Sequence, residues 1–233
     1  MVEAVQELGL AATLVGVAVN PTKVRALHTL LGDYCHQTRN LLNSLKLALY
    51  IARQGACPLE QSNDWDRLDS EYKVVEKCVE RIQAICRPMP LATINASLSL
   101  VIQEQSERWT TWLEQSGRQL TLDAPKEPDV GDLDPIRLSG ALDGFVEWRA
   151  DATNCAEPIV LRWGKAEGDL YFEWIESGSL DAGEPEPEPA GMKALSLPLL
   201  ARVVAAHRGR FQVQQDVGFH VAASWPATIS SRA

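Results

Sequence analysis

The run His36-Gln37-Thr38-Arg39-Asn40 gathers a nucleophile, a hydrogen-bond acceptor and a cation within a short stretch of chain. An exposed histidine titrates at about 6.5, so near neutral pH one ring nitrogen keeps a free lone pair able to attack an electrophile. Gln37 can accept a hydrogen bond through its amide oxygen and fix the ring's tautomer, but it cannot take up a proton. Arg39 offers a charge to neutralise an anionic group in flight, a phosphoryl group for example, or to pair with an acidic surface. On a helix, Asn40 falls one turn beyond His36 on the same face. The plain alternative is a solvated helix face with no chemistry, and these five residues alone leave both readings open.

Little else in the chain has reactive spacing. The other histidines, His28, His207 and His220, form no pair at metal-ligand spacing, and His207 stands where a helix should end and a cation would suit its dipole. The five cysteines, Cys35, Cys57, Cys78, Cys86 and Cys155, contain no CxxC, which suggests reduced thiols rather than a zinc site or a disulfide framework. A net charge of −9 makes non-specific nucleic-acid binding and attraction to anionic membranes poor expectations. The apolar run Leu8 to Val19 is too short to span a bilayer and follows acidic residues; it reads as a short packed segment or a loose leader. The expectation is a cytoplasmic protein without a membrane partner.

The elements that must carry these residues are legible from periodicity. Leu27, Leu31, Tyr34, Thr38, Leu41, Leu45, Ala48 and Ala52 step by four and three, a heptad seam from which His36 points away. Pro21 can open that helix, with Asn20 as a cap, and Gly55 and Pro58 close it. A second seam runs through Trp65, Leu68, Tyr72, Val75, Val79, Ile82 and Cys86 and stops at Arg87-Pro88-Met89-Pro90. Two long helices joined by a short polar loop predict an antiparallel hairpin, and its bare apolar surface predicts a homodimer closing a four-helix bundle.

The second half predicts a connector with strand character over 91–97, a helix from Ser97 to Gln115, a strand from Gln119 to Asp123, a polar turn at Asp129–Asp132 and a helix opening at Asp134-Pro135. A hairpin of Ile159–Trp163 and Leu170–Ile175 follows, then the acidic proline loop Gly183–Pro189, a helix from Leu195 to His207, and strands at Phe211–Gln215 and Phe219–Trp225. The seven tryptophans are expected mainly in the core, with Trp109 and Trp112 candidates to cover a pocket. The fold class is α+β: a leader at 1–20, the helical hairpin at 21–90 and an α/β domain at 91–228, a mixed sheet with helices on one face.

At this point a resemblance appears. His36-Gln37-Thr38-Arg39-Asn40-Leu41-Leu42-Asn43 resembles the phosphoacceptor box of sensor histidine kinases, where a histidine precedes an acid and an apolar stretch on the first helix of a dimerising hairpin. Asp134-Pro135-Ile136-Arg137-Leu138 resembles the start of that family's nucleotide-box helix, and Ala205-Ala206-His207-Arg208-Gly209-Arg210 the end of its last helix. The likeness runs from about residue 24 to 226.

The departures cluster where that family binds ATP. The nucleotide-box asparagine is matched by Gly144 and Trp148, the Asp-x-Gly-x-Gly loop by Glu176-Ser177-Gly178-Ser179-Leu180, and the later glycine box by Ala194-Leu195-Ser196-Leu197. Phosphate loops need glycine so that backbone can approach the anion, and an acidic lid repels it. The resemblance therefore implies a dimeric histidine phosphotransferase of bacterial phosphorelays with a degenerate ATP-binding domain. Such a protein carries a phosphoryl group on His36 to or from a response-regulator aspartate. Gln37, Arg39 and Asn40 would complete its site; the chain would need no cofactor of its own, magnesium sitting on the partner's receiver domain. The alternatives are a non-catalytic adaptor or inhibitor that binds a regulator or kinase, with Gln37 and Asn40 supporting a phosphatase activity, and an active kinase, which the departures argue against.

Overall fold

Pro21 opens the longer of two helices, where its fixed φ and missing N–H suit the first turn. The computed structural model describes residues 9–55, 62–151, 158–177, 195–214 and 218–228, so the loop Gly183–Pro189 lies outside the described residues. The chain divides into two compact units: Thr22–Pro88, and Met1–Pro21 together with Met89–Ala233.

The first unit is a helical hairpin of α2 (Pro21–Gly55) and α3 (Ser62–Cys86). Its antiparallel register is fixed by two cross-helix contacts. Arg39 pairs with Glu80, and Lys46 lies over the Tyr72 ring at 5.3 Å, so rising along α2 means descending α3. Tyr72 and Cys86 of the second seam are buried, whereas Leu45 of the first and Val75 of the second remain 50% and 41% exposed. The apolar stripes are thus wider than one partner helix covers.

The second unit begins with α1 (Gly9–Ala18), a helix without a charged side chain. It packs on α6 (Ser196–Ala206), whose residues are consequently buried on nearly every side. The unit's sheet has the order β2-β4-β5-β7-β6, from β2 (Leu120–Asp123), β4 (Ile159–Ala166), β5 (Asp169–Ser177), β6 (Arg210–Gln214) and β7 (Gly218–Pro226). Only β2–β4 is parallel; the other pairs are antiparallel. The β4–β5 hairpin turns on Glu167 and Gly168, both at positive φ, the geometry that follows the strand twist. Along β5 the inward row is Leu170, Phe172, Trp174 and Glu176, a strict alternation that ends on a carboxylate.

Asp129–Asp132, expected as a polar turn, is instead mostly strand. β3 (Val130–Leu133) pairs antiparallel with β1 (Ile94–Ser97) in a separate two-stranded sheet. Asp129 is buried because Ser97 and Ser99 donate to its two carboxylate oxygens at 2.7 and 2.8 Å, and Trp163 in turn donates to Ser99. The polar composition that suggests a turn is consumed by this clasp. Ser97 also caps α4 (Leu98–Gln115), and Asp134 caps α5 (Pro135–Ala150). Asp134 further accepts from Ala92 N–H at 2.8 Å.

Candidate functional site

On α2, Arg39 and Asn40 stand three and four residues beyond His36, and Asn43 three beyond Asn40, so the four positions share one helix face. The side chains of His36 and Gln37 lie outside the described residues, though both sit within the helix. Arg39 is half-exposed, with Nη2 3.9 Å from Glu80 Oε1, a charge pair beyond hydrogen-bond length. Asn40 is exposed, and its carbonyl accepts from Ser44 Oγ at 3.0 Å. The hairpin thus presents Arg39 and Asn40 together on an open surface, with Glu80 contributed by the second helix. The Arg39–Glu80 register could not be anticipated from either seam separately.

The α/β unit holds a different constellation. Glu176, at the end of β5, is buried and accepts four N–H bonds. Arg149 Nε and Trp174 Nε1 reach Oε1 at 2.7 and 2.6 Å; Arg149 Nη2 and Arg118 Nη2 reach Oε2 at 2.7 and 2.6 Å. A carboxylate offers about four lone-pair sites, so none is left for another donor. Arg118 also donates to the carbonyl of Arg149. The Arg149 guanidinium lies 4.2 Å from the Phe219 ring centre and 4.9 Å from that of Trp148, and Trp148 stands edge-on to Phe219 at 5.8 Å. Burial pushes the Glu176 carboxyl up, but hydrogen bonding and charge from Arg149, the charge of Arg118 and the Trp174 bond outweigh it and hold it below the ordinary value.

Trp148 and Glu176 are two of the positions matched above to nucleotide-contacting residues. Arg149 ties them together, and its partner Arg118 is equally buried. The arginines were not legible as a cluster, yet one signal existed: Leu138, Leu142, Phe145 and Arg149 step four, three, four along α5, placing Arg149 at the next inward position of an apolar stripe. Trp109 is buried core and donates to Asp143 at 2.7 Å, whereas Trp112 is partly exposed beneath the Arg108 guanidinium. Among the described residues no His, Cys, Asp and Glu cluster could hold a metal ion, and no helix is long and apolar enough to cross a membrane.

His207 corrects its sequence reading as a helix-end cation. It is buried, its Nδ1–H donates to Val203 O at 2.8 Å, and its Nε2 accepts from Asp134 N–H at 2.9 Å. The neutral ring thereby links the end of α6 to the start of α5. Burial lowers its pKa, partly offset by the Val203 bond and the Asp134 charge. The contribution is complete above the unfolded value of about 6.5 and is lost as pH falls below it, with a slope of at most about 1.4 kcal/mol per pH unit. Urea unfolding between pH 7.5 and pH 5.5 (about one unit either side of 6.5) should show this fall, and His207→Gln should flatten it. An unchanged slope in the variant would remove His207 from the account.

No protein-family model matches the chain, and no curated protein matches it in sequence. Its fold is that of histidine kinases. Full-length ShkA, solved in complex with AMPPNP, superposes with a TM-score of 0.63 at 16% identity, over 85% of this chain and 45% of that one. The Acinetobacter baumannii histidine kinase AdeS gives 0.57 at 13% identity, over 82% of this chain and 98% of its own. Histidine kinase ThkA, solved in complex with the response regulator protein TrrA, gives 0.61 at 14% identity, over 91% and 66%. The chain therefore spans under half of ShkA and about two thirds of the ThkA chain. The α/β unit resembles the α/β sandwich of the histidine kinase catalytic domain.

Proposed function

We propose that the protein works in two-component signalling as a histidine phosphotransferase: His36 takes a phosphoryl group from, and returns it to, the aspartate of a response-regulator receiver domain. The observation that carries this reading is a divided fate. On a histidine-kinase-like fold the histidine helix keeps His36, Arg39 and Asn40 in one stripe, while the positions matched to nucleotide contacts are occupied by Trp148 and by a Glu176 saturated with internal donors. ThkA, a protein of similar fold, is seen with a response regulator, which supports the class of partner.

In the forward step a neutral His36 nitrogen attacks phosphorus. The P–N bond forms as the acyl P–O bond breaks, and the aspartate leaves with the electron pair. Gln37 can hold the second ring nitrogen's N–H but cannot accept its proton, which passes to solvent. Arg39 neutralises charge on the phosphoryl oxygens, with Glu80 restraining it electrostatically. Magnesium belongs to the receiver, and the chain binds neither ATP nor a cofactor. Two hairpins pair as a four-helix bundle, using the exposed Leu45 and Val75 faces.

The test is label transfer from a panel of phosphorylated receivers; no label from any of them would favour the adaptor reading, to which Gln37 in place of an acid also points. A sedimentation run with a fluorescent ADP analogue checks the rest. The expected result is twice the chain mass with no co-sedimenting fluorescence. A monomer would sink the bundle, and bound analogue would sink the loss of nucleotide binding.

A further inference from the structure

Residues of β1 and of the first turns of α4 and α5 line an open groove of about 560 Å³. Its walls are apolar and turned outward: Ile136 is 84% exposed, Leu100 60% and Ile94 56%. At its far end the helices are pinned together through Asp143, which accepts from Trp109 and pairs with Arg108. Glu104 lines the same end, and no described residue forms an ion pair with it. Among the described residues Glu104 and Asp143 therefore set two negative charges against the single positive charge of Arg108 at this end.

Gly140 lies on the groove wall contributed by α5. Glycine in a helix interior is unfavourable, and other glycines of this unit have a visible reason to be glycine. A Cβ on Gly131 would meet the carbonyl oxygen of Ala227 at 2.7 Å, and one on Gly209 the carbonyl of Ser224; Gly168 and Gly117 have positive φ. Gly140, like Gly16 of α1, has neither reason: nothing lies within 4 Å of where its Cβ would be. Space kept clear beside exposed aliphatic side chains admits the close approach of another backbone.

We propose that this groove is a docking surface for an amphipathic helix of a partner protein. That helix lays aliphatic residues against Ile94, Leu100 and Ile136, brings its backbone close to Gly140 and sets a lysine or arginine beside Glu104. The spacing favours a helix, because Ile136, Gly140 and Asp143 on α5 and Leu100 and Glu104 on α4 recur once per turn, the periodicity that ridges of a third helix match. From Ile136 to Asp143 the wall is about 10 Å long, which accommodates about two turns. The charge at the closed end selects a basic rather than an acidic flank. The groove is lined by residues of β1, α4 and α5 and their connections, and its test involves no phosphoryl transfer, so it stands or falls independently of the function proposed above.

The experiment uses the full chain with labelled isoleucine and leucine methyls, titrated with two helix-stabilised peptides. Both carry the same leucine stripe and differ only in a terminal lysine or glutamate. The expected result is that the lysine peptide shifts the Ile94, Leu100 and Ile136 methyls and the glutamate peptide binds at least about tenfold more weakly, with Glu104→Lys reversing the order. Gly140→Gln adds a Cβ that meets nothing within 4 Å and replaces a helix-interior glycine by a better helix former, so it should melt no lower than the parent while binding falls at least about tenfold. Ile136→Asp should act in the same direction. Methyls that respond to neither peptide, equal binding of both, or full binding by Gly140→Gln would each overturn the proposal. So would shifts at these methyls that depend on protein concentration without peptide, which would assign the face to a second copy of the chain.

Discussion

His36→Ala should abolish acid-labile labelling by phosphorylated receivers while receiver binding stays within about twofold of the parent. On the proposed function the two readouts should part, because the nucleophile would contribute a bond only during transfer whereas docking would draw on the wider hairpin surface. A phosphorus–nitrogen bond is stable in base and lost in acid, so the chemistry of the label identifies the residue type as well as the residue. Transfer assays and binding by fluorescence anisotropy on the same preparation decide it. Label persisting in the variant would place the acceptor elsewhere. A parent that binds receivers yet never becomes labelled would make the protein an adaptor.

Glu176→Ala should be the most damaging single substitution in the α/β unit. It strands two buried guanidinium groups, Arg118 and Arg149, without their counter-charge. Breaking a buried pair from one side costs about 3–5 kcal/mol, a large share of an ordinary domain's stability. Replacing all three charged residues by apolar ones, as in Arg118→Met, Arg149→Leu and Glu176→Met together, should recover most of that loss, since desolvation then vanishes with the charges. Urea titration of parent, single and triple variants measures both. The low carboxyl pKa adds a pH signature. This contribution is present above the unfolded glutamate value of about 4.3 and fades as pH falls through the lower folded value. A triple variant no better than the single one would show that the arginines contribute more than solvation of Glu176.

The sequence reveals the two kinds of regularity that burial imposes and conceals the cooperative ones. Heptad steps place α2 and α3, and alternation in Leu170-Tyr171-Phe172-Glu173-Trp174 places β5, because each pattern reports one face in contact with one core. β3 is hidden, since Val130-Gly131-Asp132-Leu133 carries too few apolar residues and its pairing with Ile94–Ser97 comes from distant chain. His207 misleads for a related reason: a histidine at a helix end suggests a cation, and only the fold brings the Asp134 amide to its second nitrogen. Trp148 and Glu176 are visible one at a time as departures from a nucleotide site. Their union through Arg149 and Arg118 joins the ends of α4, α5 and β5, and no local spacing encodes it.

The contact of α1 with α6 also has a temporal side. Gly9–Ala18 is made before both hairpin helices, while Ser196–Ala206, the surface it packs on, is made only after them and most of the sheet. For that whole interval an uncharged apolar helix waits without its native cover. Closing so long a loop carries a high entropic cost, and contacts of large sequence separation slow folding. The α/β unit therefore completes its packing only once α6 has been made, and α1 is the segment for which a chaperone would have the longest opportunity.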